Sequence, residues 1–243
     1  MENRDDIIEG RNSVMEAIKS GRTIDKIYIK KGDATLGRII ALAKENKIPL
    51  TQVSPEKLSE ISRGNHQGVI AKASAKEYVS ISEILGYAKE KGEPPFVVIC
   101  DRITDPHNLG AIIRSANAAG CHGVIIAKHE AVGLSATVDK TSAGALSHTR
   151  IAKATNISKA IEELKKEGLW VCGAAMGGDT MYKVDLKGPL AVVIGNEGDG
   201  IAPLVLKNCD FVVSIPMFGQ TESLNASCAA SVLLYEAVRQ RNN

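Results

Sequence analysis

The chain has 243 residues, enough for one large domain or two of ordinary size. Apolar residues make up 44% and can supply a core, whereas aromatics are only 4%, which argues against capture of single-stranded nucleic acid on an array of exposed rings. The formal net charge of +2 is too small to indicate a polyanionic partner by itself. Sixteen Lys+Arg against thirteen Asp+Glu precede Glu93, and fourteen against fifteen run from Glu93 onward, so any polyanion-attracting surface is expected on the N-terminal part.

Five cysteines (Cys100, Cys121, Cys172, Cys209 and Cys228) are scattered without a CxxC, which predicts buried, reduced thiols. The first ten residues are polar and acidic, and no apolar run approaches the roughly 20 residues of a membrane span. A soluble cytoplasmic protein without a membrane partner is expected.

Near the start, Asn12 is placed to cap a short helix running to Ser20 and ended by Gly21. Residues 26–31 (KIYIKK) alternate like a half-buried strand. Residues 34–46 carry Ile39, Ile40, Leu42 and Ala43 at helical spacing. Another helix is expected over 55–62, with Ser54 as cap and Pro55 in its first turn. Residues 68–73 (GVIAKA) read as a strand, which completes a small α/β unit over 1–76. Residues 77–95 read as a linker ending in Gly92-Glu93-Pro94-Pro95, where two prolines stop any helix.

From residue 96 onward the character changes. Residues 96–100 (FVVIC), 123–127 (GVIIA), 169–172 (LWVC), 190–194 (LAVVI) and 211–215 (FVVSI) are short continuous apolar runs, as in a parallel sheet buried on both faces. Helical stretches at 109–119, 158–167 and about 225–240 lie between or after them. The expectation for 96–243 is an α/β domain with a parallel sheet and helices on both faces.

Ligands in such sheets bind beyond the carboxyl ends of the strands. Three loops stand there. The first, residues 101–110, ends at Asn108, a candidate helix cap, with Arg114 about a turn and a half later. A capped helix with one surface arginine is the plain alternative. The second, Gly195-Asn196-Glu197-Gly198-Asp199-Gly200, is neither a GxGxxG fingerprint nor a P-loop, and Glu197 would repel phosphate. It suits a ligand without phosphates, or it is only a tight turn. The third, residues 216–225, enters a helix rich in small residues, and Ser223 or Asn225 could cap it. Ser54-Pro55-Glu56-Lys57 matches SxxK without the other lactamase motifs. No HExxH, Cys/His pairing or GxSxG occurs, so neither a metal nor a hydrolase elbow is expected.

Taken in order, Asp105-Pro106-His107-Asn108-Leu109-Gly110-Ala111 with Arg114-Ser115-Ala116, Ile194-Gly195-Asn196-Glu197-Gly198, and Ile215-Pro216-Met217 with Ser223-Leu224-Asn225-Ala226-Ser227 resemble the SpoU family of RNA 2′-O-ribose methyltransferases, in the SPOUT superfamily. Gly10-Arg11-Asn12-Ser13-Val14 and Asn65-His66-Gln67-Gly68-Val69 resemble parts of that family's substrate-binding domain, itself like small RNA-binding ribosomal proteins. The resemblance implies a deep trefoil knot in the catalytic domain, a homodimer, and S-adenosylmethionine as methyl donor with no metal. It places donor contacts at Gly195, Ile215, Leu224, Ala174 and Met217, with residues 173–177 as a loop lining the pocket. It gives catalysis to Arg114, supported by Asn108, Glu197, Ser223 and Asn225. Glu197 is expected to orient Arg114 by a bidentate pair. A guanidinium ordinarily keeps its proton in a protein, so gripping phosphate or polarising the 2′-hydroxyl suits it better than acting as base. Phe218, Asp199 and Cys228 depart from the usual family residues and bear on substrate choice.

Large-subunit ribosomal RNA, with a guanosine as target, is the favoured substrate, and tRNA the second. The alternatives of another class are a non-catalytic RNA-binding assembly factor on this fold and a nicotinamide-dependent oxidoreductase. Intact Asn108, Arg114, Glu197, Ser223 and Asn225 argue against the first. The missing GxGxxG argues against the second.

Overall fold

Apolar patterning sorts the chain into two sheets, each with its own core. The computed structural model describes residues 6–62 and 64–242. They fall into two units, one up to Glu77 together with Gly133–Thr137, the other Tyr78–Val132 with the chain from Val138 onward.

In the first unit, β1 (Ile7–Glu9), β2 (Ile24–Lys30), β3 (Leu50–Val53) and β4 (Val69–Ala73) form a sheet in the order β1-β4-β2-β3. Only β2 and β3 run parallel. In β2, Ile27 and Ile29 share a face by simple alternation. Ile24 rejoins them because the ladder shifts register between Ile24 and Lys26. Against this face pack α1 (Arg11–Lys19), through Val14, Ala17 and Ile18, and α2 (Gly37–Glu45), through Ile39 and Ala43. A 3-10 turn at Ala34–Leu36 replaces the first turn expected of α2. Helix α3 (Pro55–Ile61) begins as expected, Ser54 Oγ accepting from the Lys57 amide.

Asn12 is not a cap. Gly10 occupies that place at φ 85°, and the Gln67 side chain accepts the Arg11 amide instead. Only glycine adopts that backbone readily. The two stretches likened to a substrate-binding domain thus meet here, since Arg11 Nε also donates to Gln67 O at 3.1 Å.

The second unit opens with α4 (Ile81–Lys91), started by a Ser80/Glu83 capping box and ended by Gly92 in the left-handed region. Six parallel strands follow in the order β10-β8-β9-β5-β6-β7: β5 (Phe96–Cys100), β6 (Gly123–Ala127), β7 (Ile151–Ala154), β8 (Trp170–Thr180), β9 (Leu190–Ile194) and β10 (Phe211–Ser214). β5, β6 and β9 are buried along their whole length, as continuous apolar runs require. One face holds Val97, Ile99, Ile125, Val171, Ala191 and Val193, covered by α4 (Ile84), α8 (Ile157–Lys166) and α9 (Pro203–Asn208). Each large aliphatic side chain so buried contributes about 1.5–3 kcal/mol. Helices α5 (Pro106–Ala118) and α10 (Ala226–Arg241) pack on β5, β6 and β9 and on each other. Two short helices, α6 (Ala136–Thr141) and α7 (Ala145–His148), precede β7.

The cysteines depart in part from expectation. All five are free, but only Cys100 and Cys172 are buried, and Cys228 is exposed on α10. Burial pushes the Cys100 thiol up to about 12. Among the described residues no helix is long and apolar enough to cross a membrane.

Candidate active site

Strands β5, β9, β8 and β10 are neighbours, so the loops at their carboxyl ends converge. The loop after β9 closes on itself. The Asn196 and Gly200 amides and carbonyls pair both ways, at 3.1 and 2.9 Å. The Asn196 carboxamide accepts from the Gly198 amide at 2.8 Å. A Cβ on Gly195 would lie 2.3 Å from Gly200 C and Ile201 N. The glycine is therefore demanded by the loop's own backbone, in keeping with the tight-turn alternative for this loop.

The loop after β5 holds this turn in place. Asp101 Oδ2 accepts from the Ala202 amide at 2.7 Å, and Asn196 Nδ2 donates to Arg102 O at 3.1 Å. Arg102 Nη2 donates to Gly200 O at 3.3 Å, and its Nη1 lies 3.6 Å from Asp199. Arg102 sits at φ 56°, and its buried Nε has no hydrogen-bond partner. Such strain is kept only where the surroundings enforce it. Sequence reasoning missed this residue, and no local pattern marks an arginine with a left-handed backbone.

Helix α5 starts earlier than expected. Asp105 is its cap, accepting from the His107 amide at 2.9 Å, with Pro106 pre-set for the first turn. Asn108 lies inside the helix and is buried. Its Oδ1 accepts from Asn225 Nδ2 at 2.9 Å. Asn225 in turn caps α10, its Oδ1 accepting from the Ser227 amide and hydroxyl at 2.9 and 2.7 Å. One carboxamide thus caps one helix and ties it to the other. A Ser115–Ser231 hydroxyl contact at 2.7 Å repeats the tie a few turns along.

β8 runs to Thr180, so residues 173–177 belong to a strand and are not a plain loop. The reading still has a basis in the ladder. β10 pairs Val212 with Gly173 and Val213 with Asp179, leaving residues 174–178 as an excursion outside the ladder register with β10.

These pieces enclose a cavity of about 550 Å³. Gly195, Ile215, Leu224, Ala174 and Met217 all line it, as do Glu197 and Ser223. Asn108 and Asn225 do not line it; they hold the helix that forms one side. The charged side chains on the wall are Glu197, Asp199 and Glu222, all carboxylates. Among the described residues no three His, Cys, Asp or Glu side chains group as metal ligands would.

Arg114 stands apart. It is exposed on α5 and does not line the cavity. The expected pair with Glu197 is not made: among the described residues no ion pair joins them, and Glu197 is itself exposed. Both side chains are exposed, and among the described residues no hydrogen bond or ion pair holds either one toward the other.

Comparison with known proteins agrees with this layout. The model of the SpoU rRNA methylase family matches residues 95–235, and that of RNA 2′-O ribose methyltransferase substrate binding matches residues 7–79. A Bacillus subtilis (strain 168) protein named as a TrmH family tRNA/rRNA methyltransferase, YacO, is 43% identical over 247 aligned positions, covering 100% of this chain and 98% of its own. The structure of the SpoU methyltransferase AviRb from Streptomyces viridochromogenes, in complex with the cofactor AdoMet, superposes with a TM-score of 0.62 at 28% identity, covering 98% of this chain and 90% of the other. The A. aeolicus TrmH/SpoU tRNA modifying enzyme gives 0.56 at 28% identity, over 62% and 77%.

Proposed function

The chain belongs to the SpoU methylase family of S-adenosylmethionine-dependent RNA methyltransferases, and we propose that it methylates a ribose 2′-hydroxyl, that of a guanosine in large-subunit ribosomal RNA. The observation that carries the donor site is the cavity wall. Its apolar members, Ala174, Ile215, Met217 and Leu224, suit an adenosyl group, and its carboxylates, Glu197, Asp199 and Glu222, suit a cation and repel phosphate. When bound, S-adenosylmethionine supplies a methyl group on a positively charged sulfur, which leaves as a neutral thioether.

The residues of the chain do the rest by position. Asn225 and Asn108 fix the start of α10, and with it Leu224 and Ser223. Ser223, exposed on the cavity wall, orients the ribose. Arg114 grips the RNA phosphate or polarises the 2′-hydroxyl. A second copy of the chain brings Arg114 to the cavity, in a homodimer formed on α5 and α10. Val232 and Tyr235, exposed on α10, supply apolar surface for that contact. The catalytic domain, residues 96–243, carries the trefoil knot of its family. Residues 1–76 present the RNA, residues 77–95 connect the two with α4 packed on the second sheet, and the enzyme works in the cytoplasm.

The test is transfer of label from radiolabelled donor to two pools, unmodified large-subunit ribosomal RNA and unmodified tRNA. Wild type is expected to label ribosomal RNA at an alkali-stable ribose. Arg114→Ala is expected to lose roughly 10²-fold or more in rate, as misplaced alignment does, while keeping its affinity for the donor. Label in tRNA alone would keep the chemistry and overturn the substrate. No label and no donor binding would favour an assembly factor.

A further inference from the structure

Eight large apolar side chains are exposed among the described residues, and three of them, Met176, Phe218 and Leu224, lie on the segments that wall the cavity. Phe218 is the extreme case at 92% exposure. It directly follows Met217, a lining residue, and precedes Glu222, Ser223 and Leu224, which line the cavity too. Its loop, from the end of β10 to the cap of α10, offers the ring no cover: residues 218–225 are all exposed. The ring therefore stands at the lip of the cavity and is not part of the core.

We propose that Phe218 is a stacking platform for an unstacked base of the acceptor strand, at or beside the methylated nucleotide. The inference rests on the methyltransferase reading above. Three observations favour a base as occupant. A ribose inside a folded or paired RNA cannot reach a cavity of this kind unless its nucleotide leaves the stack. The charged groups that this copy puts on the cavity wall are carboxylates, so it offers phosphate no grip at this lip, and that grip is left to Arg114 of the second copy. A base offers a π-face without charge, and a phenyl ring takes any base by stacking. The low aromatic content of the chain is no obstacle, because one base needs one ring.

Phe218 touches neither donor nor reacting atoms in this role; it holds the substrate. A base–aromatic stack is worth roughly 10- to 100-fold in affinity. The experiment compares wild type, Phe218→Ala, Phe218→Leu and Phe218→Trp on whichever RNA pool the wild type labels, with donor affinity by calorimetry and mass by sedimentation. Phe218→Ala is expected to raise KM for RNA about tenfold or more, with kcat and donor affinity within twofold. Phe218→Trp is expected to restore KM, and Phe218→Leu is not. An unchanged KM in Phe218→Ala would overturn the proposal. So would full rescue by leucine, which needs only apolar bulk, or a fall in mass, which would make the ring a contact with a second copy. If wild type binds no donor and labels no RNA, the function falls and the stacking role with it; if wild type is active, only the stacking role is at stake.

Discussion

At the amino ends of the sheet, polar side chains are tied to one another. Both ring nitrogens of the buried His122 are used: Nδ1 accepts from the Phe96 amide and Nε2 faces Glu93, each at 3.0 Å. Arg150 lies 3.4 Å over the Tyr87 ring, and Arg241 donates to Gly188 O at 2.6 Å. At the carboxyl ends such ties join Arg102 to Asp199 and Asn108 to Asn225 but leave other polar side chains out. Glu197 and Ser223 stand exposed along a cavity, and Arg114 stands exposed on α5. The ordered parts of that end are backbone turns and caps, not partners for those side chains. One end is built to be stable by itself. The other uses its hydrogen bonds to fix loops and leaves Glu197, Ser223 and Arg114 open.

The sharpest way to break the contrast is at Gly195. Gly195→Ala puts a methyl 2.3 Å from the backbone of Gly200 and Ile201. Backbone cannot swing aside as a flexible side chain would, and overpacking costs roughly 1–3 kcal/mol or more. The expected result is at least a tenfold loss of donor affinity by calorimetry, with the far-UV circular dichroism of the folded protein retained. Unchanged donor affinity would mean that this turn does not shape the cavity.

Asn225 tests whether the open end depends on its caps. Asn225→Ala removes a cap, at about 0.5–2 kcal/mol, and leaves the buried Asn108 carboxamide without its donor, at about 1–3 kcal/mol more. Asn225→Asp keeps the cap oxygen and loses only the Nδ2 donor, so it is expected to recover the capping share of the loss in thermal unfolding. Equal loss in both variants would place the whole effect in the Asn108 contact.

The contrast also explains what the sequence could tell. Strands β5, β6 and β9 were legible because burial on both faces leaves apolar runs without alternation. β7 was missed: it is four residues long and carries Lys153. β1 and β3, also short and only half-buried, gave no pattern either. Cap positions shifted where a better one stood nearby, as Asp105-Pro106 did before Asn108. The residues that the family resemblance assigned to the donor could not have been named from pattern alone, and the chain places them on one cavity. The Arg114–Glu197 pair could not be judged, since two exposed side chains on different elements leave no periodicity to read. Arg102 was invisible for another reason: its role depends on a backbone angle.

The smallest expected effect lies at the closed end. The Phe96 amide needs an unprotonated Nδ1, so the neutral His122 ring carries its proton on Nε2, facing Glu93. Burial holds its pKa below the ordinary value of 6.5, against the pull of Glu93 and with that of Lys91 and Arg241. A depressed folded-state pKa means that the unfolded chain takes up the proton first. The stabilisation is therefore complete above about pH 6.5 and is lost as the pH falls through that value toward the folded pKa. The slope from this one group is at most about 1.4 kcal/mol per pH unit. Gln at this position can still accept from the Phe96 amide and donate to Glu93, but it does not titrate. His122→Gln is expected to lower Tm by a few degrees at pH 7.5 and to flatten the fall in Tm between pH 7 and pH 5. If wild type and variant lose stability in parallel across that range, the acid sensitivity belongs to other groups, and the closed end is held by the geometry of His122 without regard to its charge.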